Sequence, residues 1–175
     1  LYYWAIIGFV MFIPLLPFII EKKSHILYQS IFGFCFLLLL YVNSTIYPLA
    51  LFFGPVDRET AILYGWDKVT KKVEENKRKH GVYNVIFMDY RLASLYSFHA
   101  DDFEADAIMA DRETQFDIWR FEKSIKLKQA IIIVDQAFPI HKKIEKVFDE
   151  VIFLEEFPIV KGKHVLNIYK IYLAK

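Results

Sequence analysis

Residues 83–119, YNVIFMDYRLASLYSFHADDFEADAIMADRETQFDIW, decide how the polar part of this chain folds. Branched and aromatic residues run from Tyr83 to Met88, and a helical pattern follows from Tyr90 to His99. A second apolar run, Ala105 to Ala110, then opens into a polar loop carrying Gln115, Asp117 and Trp119. The order is strand, helix, strand, loop. Parallel strands need a crossover connection, usually a helix, so the stretch predicts a βαβ unit with its ligand-facing loops beyond the carboxyl ends of the strands. Nucleotide signatures are missing. Asp89-Tyr90-Arg91 stands where a G-x-G-x-x-G turn would follow the first strand, and no phosphate loop ends in Gly-Lys-Ser/Thr. A Rossmann-like shape here therefore implies no dinucleotide, and no cofactor is expected.

Outward from this unit the alternation continues. Upstream, Leu63, Trp66, Val69 and Val73 recur at helical spacing within residues 57–80, and the pattern closes on a basic last turn and Gly81. The basic run Lys71, Lys72, Lys77, Arg78 and Lys79 suits the helix C-terminus and reads as a solvated face. Downstream, Ala130 to Val134 is a strand apolar throughout, as one covered on both faces should be. His141 to Phe148 is a short helix, Val151 to Leu154 a fourth strand, Lys161-Gly162-Lys163 a turn, and Val165 to Leu173 a last, antiparallel strand at the sheet edge. This is an open α/β sandwich of three layers with a mainly parallel sheet.

The front of the chain is different. Hydrophobic residues make up 55% of the 175 and aromatics 18%, while before Asp57 the only Asp, Glu, Lys or Arg residues are Glu21, Lys22 and Lys23. Leu1 to Ile20, interrupted by Pro14 and Pro17, and Ile26 to Tyr47 are each long enough to cross about 30 Å of hydrocarbon. The expected architecture is two transmembrane helices with an exit segment (1–56) followed by the soluble α/β domain (57–175). Lys22 and Lys23 in the connecting loop favour the cytoplasm, which puts everything after Pro48 outside the cell. An apolar start without a basic leader reads as the tail of a longer membrane protein, with membrane lipid as one partner. A net charge of +1 argues against a nucleic-acid surface, and the single cysteine, Cys35, cannot form an intrachain disulfide.

Tyr90-Arg91-Leu92-Ala93-Ser94, Tyr96-Ser97-Phe98-His99, Arg112, Gln115-Phe116-Asp117 and Trp119, with Tyr64-Gly65-Trp66 upstream, resemble the C-terminal pattern of bacterial membrane glycosyltransferases of the protein mannosyltransferase and aminoarabinose transferase group. The resemblance implies sugar transfer from a polyprenyl-phosphate donor at the inner membrane, in a multi-pass enzyme whose C-terminal domain caps the extracytoplasmic active-site face. It places the catalytic carboxylate in a loop to which nothing here corresponds, since no Asp or Glu precedes Glu21. No catalytic residue is therefore expected in this chain. Chemistry would come from the N-terminal transmembrane portion of the same enzyme or from a companion subunit. Tyr90, Arg91, Tyr96, Arg112, Gln115, Asp117 and Trp119 are the candidate sugar-binding residues, combining aromatic faces, planar amide and carboxylate groups, and arginines that pair with phosphate. The cluster His99, Asp101, Asp102, Glu104 and Asp106 lacks a calcium-loop glycine or zinc spacing and reads as loop charge, so no metal is expected. The alternative is a non-catalytic membrane-anchored binding or assembly domain, or the remnant of a split gene.

Overall fold

The structure is a computed structural model that describes residues 22–103, 105–109, 114–118, 129–145 and 147–175. The chain divides into two compact units, Leu1–Ile46 and Tyr47–Lys175.

In the first unit, helix α1 (Lys23–Tyr41) continues as a π-helical turn, Val42–Ile46. None of its side chains is buried, and it is apolar all round, so it has no face to lay on a core. Lys23–Ile46 is 24 residues and contains an 18-residue window with a mean hydropathy of 1.8, long and apolar enough to span a membrane. At the π turn, Ser44 Oγ donates to the Leu40 carbonyl at 2.9 Å and Thr45 Oγ1 to that of Tyr41. Pro48 in extended geometry then ends the helical register.

The second unit carries α2 (Arg58–Ala61), α3 (Trp66–His80), β1 (Val85–Phe87), α4 (Tyr90–Ala100), β2 (Asp106–Ala107), β3 (Ala130–Asp135), α5 (Lys142–Glu145), β4 (Val151–Lys161) and β5 (His164–Ala174). The five strands form one sheet in the order β2-β1-β3-β5-β4. β1 pairs in parallel with β2 and with β3, whereas β5 is antiparallel to both β3 and β4.

The expected βαβ unit is present as β1-α4-β2. Asp89 caps α4 by accepting from Arg91 N at 3.0 Å, and Asp101 ends it in the left-handed region at φ 53. β3 is buried from end to end, with Ile131 and Ile133 in one core and Ala130, Ile132 and Val134 in the other. Each fully buried Ile contributes about 1.5–3 kcal/mol. The first core packs α3 and α4 through Trp66, Val69, Val73, Leu92 and Tyr96; the second packs α5 through Ile144, with Phe148 just beyond. The result is three layers.

Two expectations are overturned. The architecture is not two transmembrane helices followed by a mainly parallel sheet. Among the described residues one helix is long and apolar enough to cross a membrane, and residues 1–20 lie outside those described. The sheet is mixed because β4 runs on from Leu154 to Lys161 and turns directly into β5 through a hairpin with Gly162 at φ 61. This hairpin sets β5 between β3 and β4, so the last strand is internal and β4 forms the edge. An edge position accommodates Pro158, whose missing N–H costs no interior ladder bond there.

Candidate functional site

In an open α/β sheet the ligand crevice lies beyond the carboxyl ends of the strands, where successive crossovers leave in opposite directions. Here that point lies between β1 and β3, since β2 flanks β1 on one side and β3 flanks it on the other. Both strands run into an aspartate: Asp89 follows β1 and Asp135 ends β3, at 0% and 4% exposure. Two isolated buried carboxylates this close to apolar strands would be prohibitive without cations.

The cation comes from the segment that enters the domain. Asp57 caps the single turn of α2 by accepting from Thr60 N at 3.0 Å and Thr60 Oγ1 at 2.8 Å, which aims Arg58 at the strand ends. Arg58 Nε and Nη2 donate to Asp135 Oδ2 at 3.0 and 2.9 Å, and Nη2 also donates to Asp89 Oδ2 at 2.6 Å. The guanidinium lies over the Phe138 ring at 4.6 Å, while Phe138 N donates to Asp135 Oδ1 at 2.9 Å.

On the other flank Arg91 closes the cluster. Its Nε and Nη2 donate to Asp89, and its Nη1 donates to both oxygens of Glu59. Burial alone would push the Asp89 carboxyl up; the bonds from Arg91 and Arg58 outweigh it and hold Asp89 below the ordinary carboxylate range. Bonding to Asp89 likewise raises Arg91, with Glu59 adding to the effect.

This arrangement has a chemical consequence. The helix N-terminus of a βαβ unit is where a phosphate is received, and here the Asp89 carboxylate takes that place by accepting from Arg91 N. Arginine does not exchange protons at physiological pH, and the two aspartates are occupied by N–H donors. Among the described residues the crevice is filled by the protein's own ion cluster, whose aspartates already accept from N–H donors.

Of the residues singled out from sequence, Arg91 is in this cluster, and Tyr90 lies beside it with its ring 5.9 Å from the Arg91 guanidinium. Tyr96 is not a surface contact residue. It is fully buried, packs 5.4 Å from the Phe87 ring and donates to Glu74 Oε1 at 2.7 Å. Burial, with Glu74 and Asp102 nearby, pushes its hydroxyl far above the usual tyrosine value. Asp117 caps a local turn, accepting from Thr114 N and Thr114 Oγ1, with exposed Gln115 inside that turn. Arg112 and Trp119 lie outside the described residues. In the acidic stretch Asp102 accepts from Lys77 at 2.8 Å and Asp106 caps Ala107 N, while Glu104 lies outside the described residues.

Arg58, Glu59, Asp89 and Asp135 were not singled out. A signal for the aspartates is present in the sequence, because VIFMD and IIIVD are two apolar strands that each run into Asp. No family model, curated protein or solved structure matches this chain.

Proposed function

We propose that residues 47–175 form a non-catalytic domain that caps the active-site face of a membrane glycosyltransferase, with the sugar-transferring machinery supplied from outside this chain. The observation that carries the non-catalytic part is the Arg58 bridge across Asp89 and Asp135, which fills the crevice where an α/β enzyme of this topology holds its substrate. The same bridge ties the segment that enters the domain into the sheet. The Tyr90–His99 and Gln115–Trp119 segments support the glycosyltransferase context, with a polyprenyl-phosphate sugar as donor. In this reading the protein sits in the cell (inner) membrane as part of a multi-pass enzyme. Lys22 and Lys23, at the amino end of the spanning helix, face the cytoplasm and residues 47–175 face outward.

Sugar transfer from a polyprenyl-phosphate donor, measured on the full-length gene product with and without residues 57–175, tests the capping role. Transfer is expected to fall on truncation; undiminished transfer refutes the role. The orientation is tested by Lys163→Cys and a membrane-impermeant thiol reagent on intact cells, where labelling only after lysis refutes it.

The filled crevice also favours a second reading, an anchored binding or assembly domain with no enzymatic partner. The two readings differ in what accompanies the chain: further spans with an acidic residue in the first outer loop favour the enzyme.

A further inference from the structure

The second face of the sheet is covered unevenly. Over β1 and β3 it packs Ile144 and Phe148, but towards β4 it lies open, with Phe153 and Val160 52% and 51% exposed. Register fixes which side chains share the open part: Phe153 pairs with Tyr172, Glu156 with Lys170 and Pro158 with Ile168. Directly opposite residues point to one face, and here it is the second, because Tyr172 and Lys170 also pair with Ile132 and Val134 of that core. Apart from Glu156 and Lys170 the row is apolar or aromatic. The Phe153 ring meets that of Tyr172 edge-on at 5.4 Å, and Glu156 and Lys170 form an ion pair at 3.2 Å, each side chain 45% exposed. Alongside runs a cleft of about 490 Å³, bounded by Ile168, Lys170 and Tyr172 on the sheet and by Gln136, Pro139 and Ile140 of the loop after β3.

The charges select what covers this face. An ion pair in the middle of an apolar row disfavours a lipid surface, because both charges would have to leave water. Pairing along the β4 edge is also disfavoured, since Pro158 offers no N–H and register shifts at Phe153/Glu155 and Ile159/Val160 break the ladder. A second copy of the same face fits. A twofold axis running along the strands between β4 and β5 lays each β4 across the other copy's β5. Glu156 then meets Lys170 of the second copy, Lys170 meets its Glu156, and no like charges oppose. The same operation sets Phe153 against Tyr172 and Pro158 against Ile168, apolar on apolar, and puts the second copy's β4 in the cleft beside the loop. Two sheets facing each other about 10 Å apart with nearly aligned strands are the ordinary geometry of a β-sandwich.

We propose that the open β4–β5 face joins two copies of this chain in a symmetric, face-to-face dimer, held by the apolar row and keyed by reciprocal Glu156–Lys170 contacts. This interface goes beyond the capping role and does not depend on it.

The experiment is sedimentation equilibrium of the full chain in density-matched detergent, which reads the mass of protein alone. The parent is expected to be a dimer that dissociates on dilution. Lys170→Glu makes the centre of the face acidic and Glu156→Lys makes it basic, so each is expected to weaken self-association about tenfold or more. An equal mixture of the two variants is expected to restore the dimer, because an acidic face then meets a basic one. A pair acting only within one copy cannot produce that recovery. Exposed pairs contribute little to folding, so both variants should stay folded, which their urea midpoints check. If either fails to fold, Phe153→Lys, at an exposed ring, decides by abolishing the dimer, and a dimer that survives it overturns the proposal. A monomeric parent, which leaves the face to another occupant, overturns it too. So does a mixture that stays monomeric, or parental association in both reversed variants, which places the contact elsewhere, as in the spanning helix.

Discussion

Arg58 and Asp89 stand 31 positions apart in the chain and 2.6 Å apart in space. That contact binds the lead-in segment to the carboxyl end of β1, and Arg58 reaches β3 through Asp135 in the same grip. Neither residue is conspicuous alone. Arg58 follows a proline-bounded apolar exit, and Asp89 looks like a helix cap, which it also is.

Removing the cation should be far costlier than an exposed ion pair suggests. Arg58→Met keeps most of the apolar stem but leaves Asp135 with its Phe138 N bond alone and Asp89 with Arg91 alone. Both carboxylates are buried, so the expected loss is about 3–5 kcal/mol, against about 0–1 for a surface pair. Urea unfolding of the variant checks this, and adding Asp135→Asn should recover a substantial part. A loss below about 1 kcal/mol would mean the cluster is effectively solvated.

The cluster also sets an acid limb. Asp89 is held below its unfolded value, which is about 3.9 for a free aspartate. A group whose folded pKa is depressed adds stability that is complete above the unfolded pKa and lost as pH falls through the folded one. Glu155 acts in the same sense: burial raises it, but bonds from Lys72 and Asn76 prevail and lower it. Stability should therefore be level from about pH 5 to 8 and fall below about pH 4. Urea midpoints taken from pH 7 to pH 2 check this. Asp89→Asn should be less stable at pH 7 and show a shallower acid limb, so a limb parallel to the parent's would contradict the assignment.

How far the fold was legible from sequence follows from the range of the forces involved. β1, α4 and β3 were legible because each is a local pattern: a branched apolar run, a capped helix, a strand apolar on both faces. β4 was cut short at Leu154 because register shifts at Phe153/Glu155 and Ile159/Val160 break its alternation, and Pro158 sits between them. The place of β5 inside the sheet depends on pairing with both β3 and β4, which no local window carries. Arg91 and Tyr90 were found near the strand ends, but Arg58 was not, since an ion pair spanning 77 positions to Asp135 leaves no periodic trace. Tyr96 is a core ring, and aromatic residues at helical spacing look alike in sequence whether they face a ligand or a sheet.

The core placement of Tyr96 is testable. Tyr96→Phe keeps the ring against Phe87 and removes the bond to Glu74, a partly exposed carboxylate, together with the longer one to Asp102 at 3.5 Å. The expected cost is about 1 kcal/mol in unfolding free energy, and under the proposed capping role sugar transfer by the full-length gene product is unchanged. Loss of transfer in a variant of near-parental stability would return Tyr96 to the list of ligand residues.

Gly65 fixes where α3 begins and how it meets the β4–β5 hairpin. Its φ of 81 lies in the left-handed region, and a Cβ added there would sit 2.4 Å from Ile159 Cγ2 and 2.7 Å from its Cδ1. Gly65→Ala therefore combines backbone strain with overpacking against a buried side chain, for an expected loss of about 2–4 kcal/mol. The close atoms all belong to one side chain, so the overpacking should be relieved by Ile159→Ala while the backbone cost remains. A double-mutant cycle by urea unfolding should then give a favourable coupling of about 1–3 kcal/mol between positions 65 and 159. Additive losses would mean that the contact relaxes and that only the left-handed backbone resists the alanine.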